Sequence, residues 1–346
     1  MIEEIKFENF TAFKKLRIEF SPGINIFVGS NGTGKTHILK TVYASCDITK
    51  SKKNFAEKIL RVFMPSASQL GRLVKRQKVS ARGSVEVFRS GPGLLDTAKL
   101  RLSFSNHATK IKSATIIGAN NWCAIPIESV FIPVKEMLSN APGFHSMYSL
   151  RDVHFEEVYA DIIDRALLPL MRGPADRDRK KILSHLQKAM EGKVTVKNEE
   201  FFLRNIQGNL EFSLLAEGIR KLGLLWVLIQ NGTLLKGTVF CWDEPEANLN
   251  PKLFRNIVEI LLSLQRMGVQ IFIATHDYVL LKEFDLQKQD NDKVKFHSLY
   301  RDEVSKEIKE HHTEDYLQIH PNTIQDTFID LFDRDVKRDL ELSANE

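Results

Sequence analysis

Eight residues constrain this chain more than any others: Gly29-Ser30-Asn31-Gly32-Thr33-Gly34-Lys35-Thr36. They fill every fixed position of GxxxxGK[ST]. They follow an apolar run, Ile24–Val28, and precede a stretch that predicts a helix to about Ala44. The glycines let the backbone wrap a phosphate chain with its N–H groups turned inward. A helix N-terminus adds partial positive charge. Lys35 is expected to reach the β- and γ-phosphates of such a chain, and Thr36 to give its hydroxyl to Mg²⁺. A turn of this kind needs a buried strand behind it and a helix ahead, so the expected class is α/β.

Two more strand ends carry chemistry. Thr238-Val239-Phe240-Cys241-Trp242-Asp243-Glu244 is an apolar strand closed by two acids. Asp243 is placed to hold Mg²⁺, directly or through water, and Glu244 to polarise an attacking water. Ile271-Phe272-Ile273-Ala274-Thr275-His276 delivers one histidine about thirty residues after Glu244. A lone histidine is usually structural; in this register a γ-phosphate contact is expected.

The remaining elements follow from periodicity. Ile2–Phe7 and Leu16–Phe20 alternate as strands, with Ser21-Pro22-Gly23 as a turn. Asn54–Phe63 predicts a helix. Ser84–Arg89, Lys99–Phe104 and Ile127–Val134 predict strands, broken at Gly91-Pro92-Gly93. Helices are expected over Asp152–Leu170 and from Pro174-Ala175-Asp176 to about Met190, then two or three short strands through Phe212. Ala216–Gln230 and Pro251–Met267 read as helices, the second with proline in its first turn. Val269–Ala274 reads as a buried strand, with a helix starting near Asp277. The tail predicts strands Val294–Tyr300 and Glu303–Ile308 and an amphipathic helix over Thr323–Asp339.

Composition narrows the class. Of 346 residues, 43% are hydrophobic and 27% charged, which suits a globular protein. The longest apolar run, Gly223–Gln230, falls far short of the roughly 20 residues a membrane helix needs. The acidic, alternating N-terminus does not read as a signal peptide. Cys46, Cys123 and Cys241 are too scattered for a disulfide framework or a zinc site, so reduced thiols and a cytoplasmic setting are expected. The net charge of +5 is polarised. Lys50–Lys112 holds fifteen Lys/Arg against three acids, whereas Asp277–Glu346 holds eighteen acids against ten bases. The basic segment reads either as a track for a phosphate backbone or as a merely solvated lobe.

The order of phosphate loop, Asp-Glu strand and strand-His resembles an ABC-type ATPase head. The string Asp243-Glu244-Pro245-Glu246-Ala247-Asn248-Leu249-Asn250-Pro251 is similar to the OLD/RecF/SMC-related AAA ATPases of bacteria rather than to transporters. The resemblance covers residues 1–46 and 210–285 well. It implies a P-loop NTPase fold with a mixed-sheet core, residues 1–46 and 232–346, and an inserted basic and helical lobe, residues 47–231. That lobe would end in a signature helix over 215–230.

The resemblance also implies further site residues. Leu215-Ala216-Glu217-Gly218-Ile219-Arg220-Lys221 stands where the LSGGQ-type signature belongs, with Ala216 in place of serine. Ala216, Glu217 and Gly218 would bind the nucleotide of a second subunit; Ser213 is an off-register alternative. Asn250 replaces the usual D-loop aspartate. No Q-loop glutamine is obvious after Phe131-Ile132-Pro133-Val134, so Lys135 or Glu136 stands in. Phe13, within Phe10–Lys14, is either an adenine contact or a core residue. The implied assembly is a head-to-tail homodimer around two ATP, or a higher oligomer, without membrane attachment.

Only about seventy residues follow His276, without the carboxylate pattern of a Toprim nuclease. His297, His311, His312, His320 and Asn322 show no HNH pattern and read as surface and turn residues. The implied role is the ATPase subunit of a bacterial anti-phage defence module with a separate nuclease or toxin effector. The alternative is a RecF-like repair clamp holding DNA through Lys50–Lys112. A transporter energy subunit is disfavoured by the D-loop string. Ala216 and Asn250 also fit slow turnover, with ATP acting chiefly as a structural glue.

Overall fold

The computed structural model describes residues 1–93, 97–150, 154–173 and 175–343. Strand pairing builds three sheets. The first is antiparallel, in the order β2 (Phe13–Glu19), β1 (Ile2–Phe10), β4 (Arg82–Arg89), β5 (Ala98–Ser105) and β6 (Thr115–Ile117). The second runs β14 (Ile308–Thr313), β13 (Val294–Arg301), β3 (Ile24–Val28), β12 (Gln270–Ala274), β11 (Val239–Asp243) and β7 (Ser129–Ile132). Its neighbours are parallel except β14, which pairs antiparallel at one edge. A small third sheet runs β10 (Gly208–Glu211), β9 (Glu200–Asn205) and β8 (Lys193–Lys197).

Parallel strands covered on both faces read as continuous apolar runs, and β3, β11 and β12 are buried at every residue. Their side chains alternate between two cores. Ile24, Ile26, Trp242 and Ile273 face one core, together with α7 (Glu217–Gln230) and α8 (Phe254–Arg266). Phe27, Cys241 and Phe272 face the other, together with α1 (Lys35–Ser51) and the inner side of the antiparallel sheet. The P-loop helix is thus sandwiched between the two sheets.

The other helices are α2 (Phe55–Phe63), α3 (Ala119–Cys123), α4 (Phe144–Leu150), α5 (Glu157–Ala166), α6 (Arg177–Met190), α9 (Tyr278–Gln287) and α10 (Thr323–Ser343). Asn54 caps α2, Asp176 caps α6 and Asp277 caps α9, each side chain accepting a backbone N–H of the first turn. A buried ion cluster ties α1, α2 and α5 together. The Lys58 ammonium is wholly enclosed and lies 2.8 Å from Asp47, 2.7 Å from Glu157 and 2.6 Å from Asp161. The ammonium fills the centre that three clustered carboxylates would otherwise offer a metal.

Several expectations need correction. Residues 47–231 do not stand apart as an insertion: they supply β4, β5 and β6 to the first sheet and β7 to the second. The second tail strand is Ile308–Thr313, not Glu303–Ile308. Asp302 accepts from the backbone of Ser305 and Lys306, so a turn occupies the start of that stretch. Pro251–Leu253 forms a 3₁₀ turn ahead of α8. His297 is not a surface histidine. It is fully buried on β13, 2.7 Å from Glu310 and stacked on Phe27. Strand β6 and the short helices α3 and α4 had no periodic signal. Asp96, the start of the helix expected from Asp152, and Pro174 lie outside the described residues. Among the described residues, no helix is long and apolar enough to cross a membrane.

Candidate functional site

Strand β3 ends at Val28, and the phosphate loop turns directly into α1. Gly29 has φ 138°, and a Cβ there would sit 2.1 Å from the Leu299 carbonyl oxygen of β13. Gly34 has φ 92°, and its Cβ would sit 2.4 Å from the Phe13 ring. Both positions therefore demand glycine. Thr33 is buried and donates its hydroxyl to the Ser30 carbonyl at 2.9 Å, which pins the loop. Lys35 Nζ folds back onto the carbonyls of Gly29 (2.7 Å) and Ser30 (3.2 Å). Burial lowers its pKa to about 8. Gly34 supplies no side-chain cap, so α1 opens with amide donors free of side-chain competition.

The parallel pairing of β3, β12 and β11 brings the other strand ends to the same edge. Thr36 Oγ1 lies 3.0 Å from Asp243 Oδ1, across 207 residues of sequence. Burial pushes the Asp243 carboxyl up to about 6, against the Thr36 hydrogen bond. Glu244 follows in the left-handed region at φ 47°, an uncommon backbone state for a non-glycine residue. His276 Nε2 stands 3.9 Å from Glu244 Oε1, and burial lowers its pKa, which favours the neutral ring. A cleft of about 290 Å³ is lined by Asn31, Gly32, Gly34, Lys35, Thr36, His37, Glu244 and His276.

Two hard oxygen donors, Thr36 and Asp243, adjoin with a lysine and a free helix N-terminus beside them. This donor set fits Mg²⁺ bound to a polyphosphate.

Phe13 is not at this cleft. It is fully buried and packs on Phe7 at 4.7 Å between ring centroids, beneath Gly34. Its role is to seat the loop, and the adenine expectation falls. Nor does Glu136 face the cleft: its carboxylate accepts from Ser139 Oγ (3.2 Å) and lies 3.2 Å from Arg220 of α7. Lys135 is likewise absent from the cleft lining.

The signature residues lie elsewhere too. Ala216 is the N-cap of α7. Glu217 accepts from Asn248 Nδ2 at 2.8 Å, and Gly218 sits against Leu249. Lys221 Nζ donates to the Ala247 carbonyl at 2.6 Å, so this helix end is fastened to the D-loop. Ser213 lies in a 3₁₀ turn, outside the cleft.

Two residues at the site escaped sequence reasoning. Glu246 Oε1 accepts the His276 N–H at 2.7 Å and the Thr275 hydroxyl at 2.8 Å, while its Oε2 is buried without a partner. Burial raises this carboxyl to about 7. His37 lines the cleft with a buried, unpartnered Nδ1, and burial lowers it to about 4. Its signal was adjacency to Thr36.

Fold and site together define an ABC-type ATPase head of the RecF/SMC-like group. The chain belongs to the family described as "AAA domain, putative AbiEii toxin, Type IV TA system", whose model matches residues 24–282. Among curated relatives, the DNA replication and repair protein RecF of Clostridium beijerinckii is 26% identical over 102 residues, 30% of this chain and 28% of that protein. RecF of Clostridium botulinum is 30% identical over 101 residues, 29% of this chain and 28% of that protein. The chain thus matches little more than a quarter of these relatives' length. Among solved structures, the SmcHead bound to the C-winged helix domain of ScpA superposes with TM-score 0.56. The identity is 14%, with 92% of this chain and 99% of that chain covered, a likeness of fold.

Proposed function

We propose that this chain binds and hydrolyses ATP with Mg²⁺, and that a second copy completes each site. The observation carrying this reading is the 3.0 Å contact between Thr36 and Asp243, with Glu244 and His276 facing each other across the same cleft. The loop amides and Lys35 bind the phosphates. Thr36 and Asp243 would hold Mg²⁺, which when bound neutralises phosphate charge. Glu244 takes the proton of the attacking water. His276, neutral and partly buried, can donate to or accept from the terminal phosphate region. Glu246 fixes the backbone that presents His276. Ala216, Glu217 and Gly218 would meet the nucleotide of the other copy, since none of them lines the cleft of its own chain. Ala216 has no hydroxyl to donate, which slows turnover. ATP then acts as a clamp that closes two heads, and hydrolysis releases them.

Glu244→Gln tests the assignment. It is expected to bind a fluorescent ATP analogue as wild type does and to release phosphate about 100-fold more slowly. Wild-type protein that fails to bind the analogue overturns the reading.

For the biological role, our first reading is the ATPase subunit of a bacterial anti-phage defence module with a separate nuclease or toxin effector. The family description, with its "putative AbiEii toxin, Type IV TA system", supports the toxin–antitoxin setting. A second reading, a RecF-like DNA clamp, is favoured by the surface. Arg72, Arg76, Lys78, Lys110 and Lys112 are exposed on two adjoining loops, joined by Gly71 N to Ala108 O (2.8 Å) and Asn106 Nδ2 to Val79 O (3.0 Å). DNA affinity that falls steeply with salt, and is lost on replacing Arg76 and Lys78, selects the clamp.

A further inference from the structure

Helix α10 leaves the body of the molecule after its first turn. Asn322 Oδ1 accepts the Gln325 N–H at 3.2 Å, Ile324 is buried, and Phe328 stacks on Tyr278 of α9 at 4.6 Å. From Asp326 to Glu341 every residue is exposed. Yet Ile324, Phe328, Phe332, Val336 and Leu340 recur at intervals of four, which makes one continuous ridge along the helix. The ridge docks α10 at one end and runs on into solvent. Ile329 and Leu331 widen it. Its last four members, with these two, are 41% to 68% exposed. A helix standing in water over this length is marginal by itself, so the ridge calls for a cover.

We propose that this ridge packs against the same ridge of a second copy, in a dimer interface separate from the nucleotide cleft. Three observations favour a second copy. Ridges of i±4 spacing interdigitate with ridges of the same spacing in the commonest class of helix packing. The apolar surface is of the right order: the six residues, two of them phenylalanines, are about half exposed and offer on the order of 500 Å² per copy. Two copies with their flanking contacts then approach the roughly 1,200 Å² of a specific interface. The ridge is also accessible to a partner side chain, since an open cleft of about 810 Å³ beside Tyr278 is lined by Phe328, Ile329, Leu331 and Phe332.

The charges argue against a lipid surface as the cover. Arg334 pairs with Asp330 at 3.0 Å and Arg338 with Asp335 at 2.7 Å, so two of the three bases are already balanced within each helix. Six acids against three bases make the polar side of α10 net acidic, which an anionic lipid surface repels.

The inference does not rest on the nucleotide reading, and its test uses nucleotide-free protein in EDTA. Light scattering is expected to give twice the chain mass for wild type at micromolar concentration. The double variant Phe332→Asp, Leu340→Asp is expected to give a single chain mass, with circular dichroism that loses at most the helical contribution of α10. Val336→Cys, oxidised, is expected to form a disulfide-linked dimer on a non-reducing gel, a readout that survives if the double variant misfolds. Wild-type protein of single chain mass overturns the proposal. So does a folded double variant that keeps the doubled mass, or wild type that stays single while binding phosphatidylglycerol vesicles.

Discussion

At Gly34 two constraints meet: a left-handed backbone and a phenylalanine ring pressed against the place a side chain would take. Gly34→Ala is therefore expected to lower stability by about 2 kcal/mol or more and to abolish binding of a fluorescent ATP analogue. A melting curve and a titration check both; a variant that binds as wild type does contradicts the role given to the turn. Glu246 offers a different test. Its folded pKa of about 7 lies above the ordinary carboxyl value of 4.5 because burial disfavours the charge. The folded state therefore holds a proton that the unfolded chain has lost. The resulting stability is fully present below pH 4.5 and is lost as pH rises through 7. Glu246→Gln, uncharged throughout, is expected to gain on wild type between pH 5 and 8, by on the order of 2–3 kcal/mol. Melting temperatures that track each other across that range contradict the buried carboxyl.

The meeting of Lys35, Thr36, Asp243, Glu244 and His276 at one sheet edge was legible, because local pattern and chemistry coincide there. Glu246 was not legible, because its task is set by the backbone of Thr275 and His276, about thirty residues away. Phe13 was ambiguous because its burial depends on Phe7 of β1 and on the phosphate loop at Gly34, which no local pattern brings over β2.

Among the elements, β3, β11 and β12 declared themselves as short apolar runs, and each ends at the site. The position of α1 was not legible, because it depends on charges distant in sequence. Lys58 enters from α2, and Asp161 and Glu157 from α5, around Asp47 of α1. The Lys58 ammonium is held well above its ordinary pKa: burial opposes the charge, but three carboxylates outweigh burial. Lys58→Met leaves those carboxylates enclosed without their shared cation. The expected loss is about 3–5 kcal/mol, read from the urea midpoint. A loss below about 1 kcal/mol would mean that Lys53, 2.6 Å from Glu157, and Arg165, 2.7 Å from Asp47, suffice to balance the cluster. The tail hairpin shows the opposite failure. Glu303–Ile308 alternates like a strand, but an aspartate turn at Asp302 takes the first residues and shifts β14 onward.

At the scale of the whole molecule, the sequence marked residues 47–231 as a lobe because charge and pattern change there. The sheets cross that boundary, since strand pairing is decided by partners on either side of it. Among the described residues, the nucleotide cleft, with α7 turned elsewhere, and the ridge of α10 both remain open. The central claim is that ATP closes two heads on each other. The direct measurement is the mass of Glu244→Gln by light scattering, in a background carrying Phe332→Asp and Leu340→Asp, so that any dimer is made by nucleotide. A single chain mass without nucleotide, doubling with saturating Mg-ATP, is the expected result. A mass that stays single at saturating Mg-ATP contradicts the account.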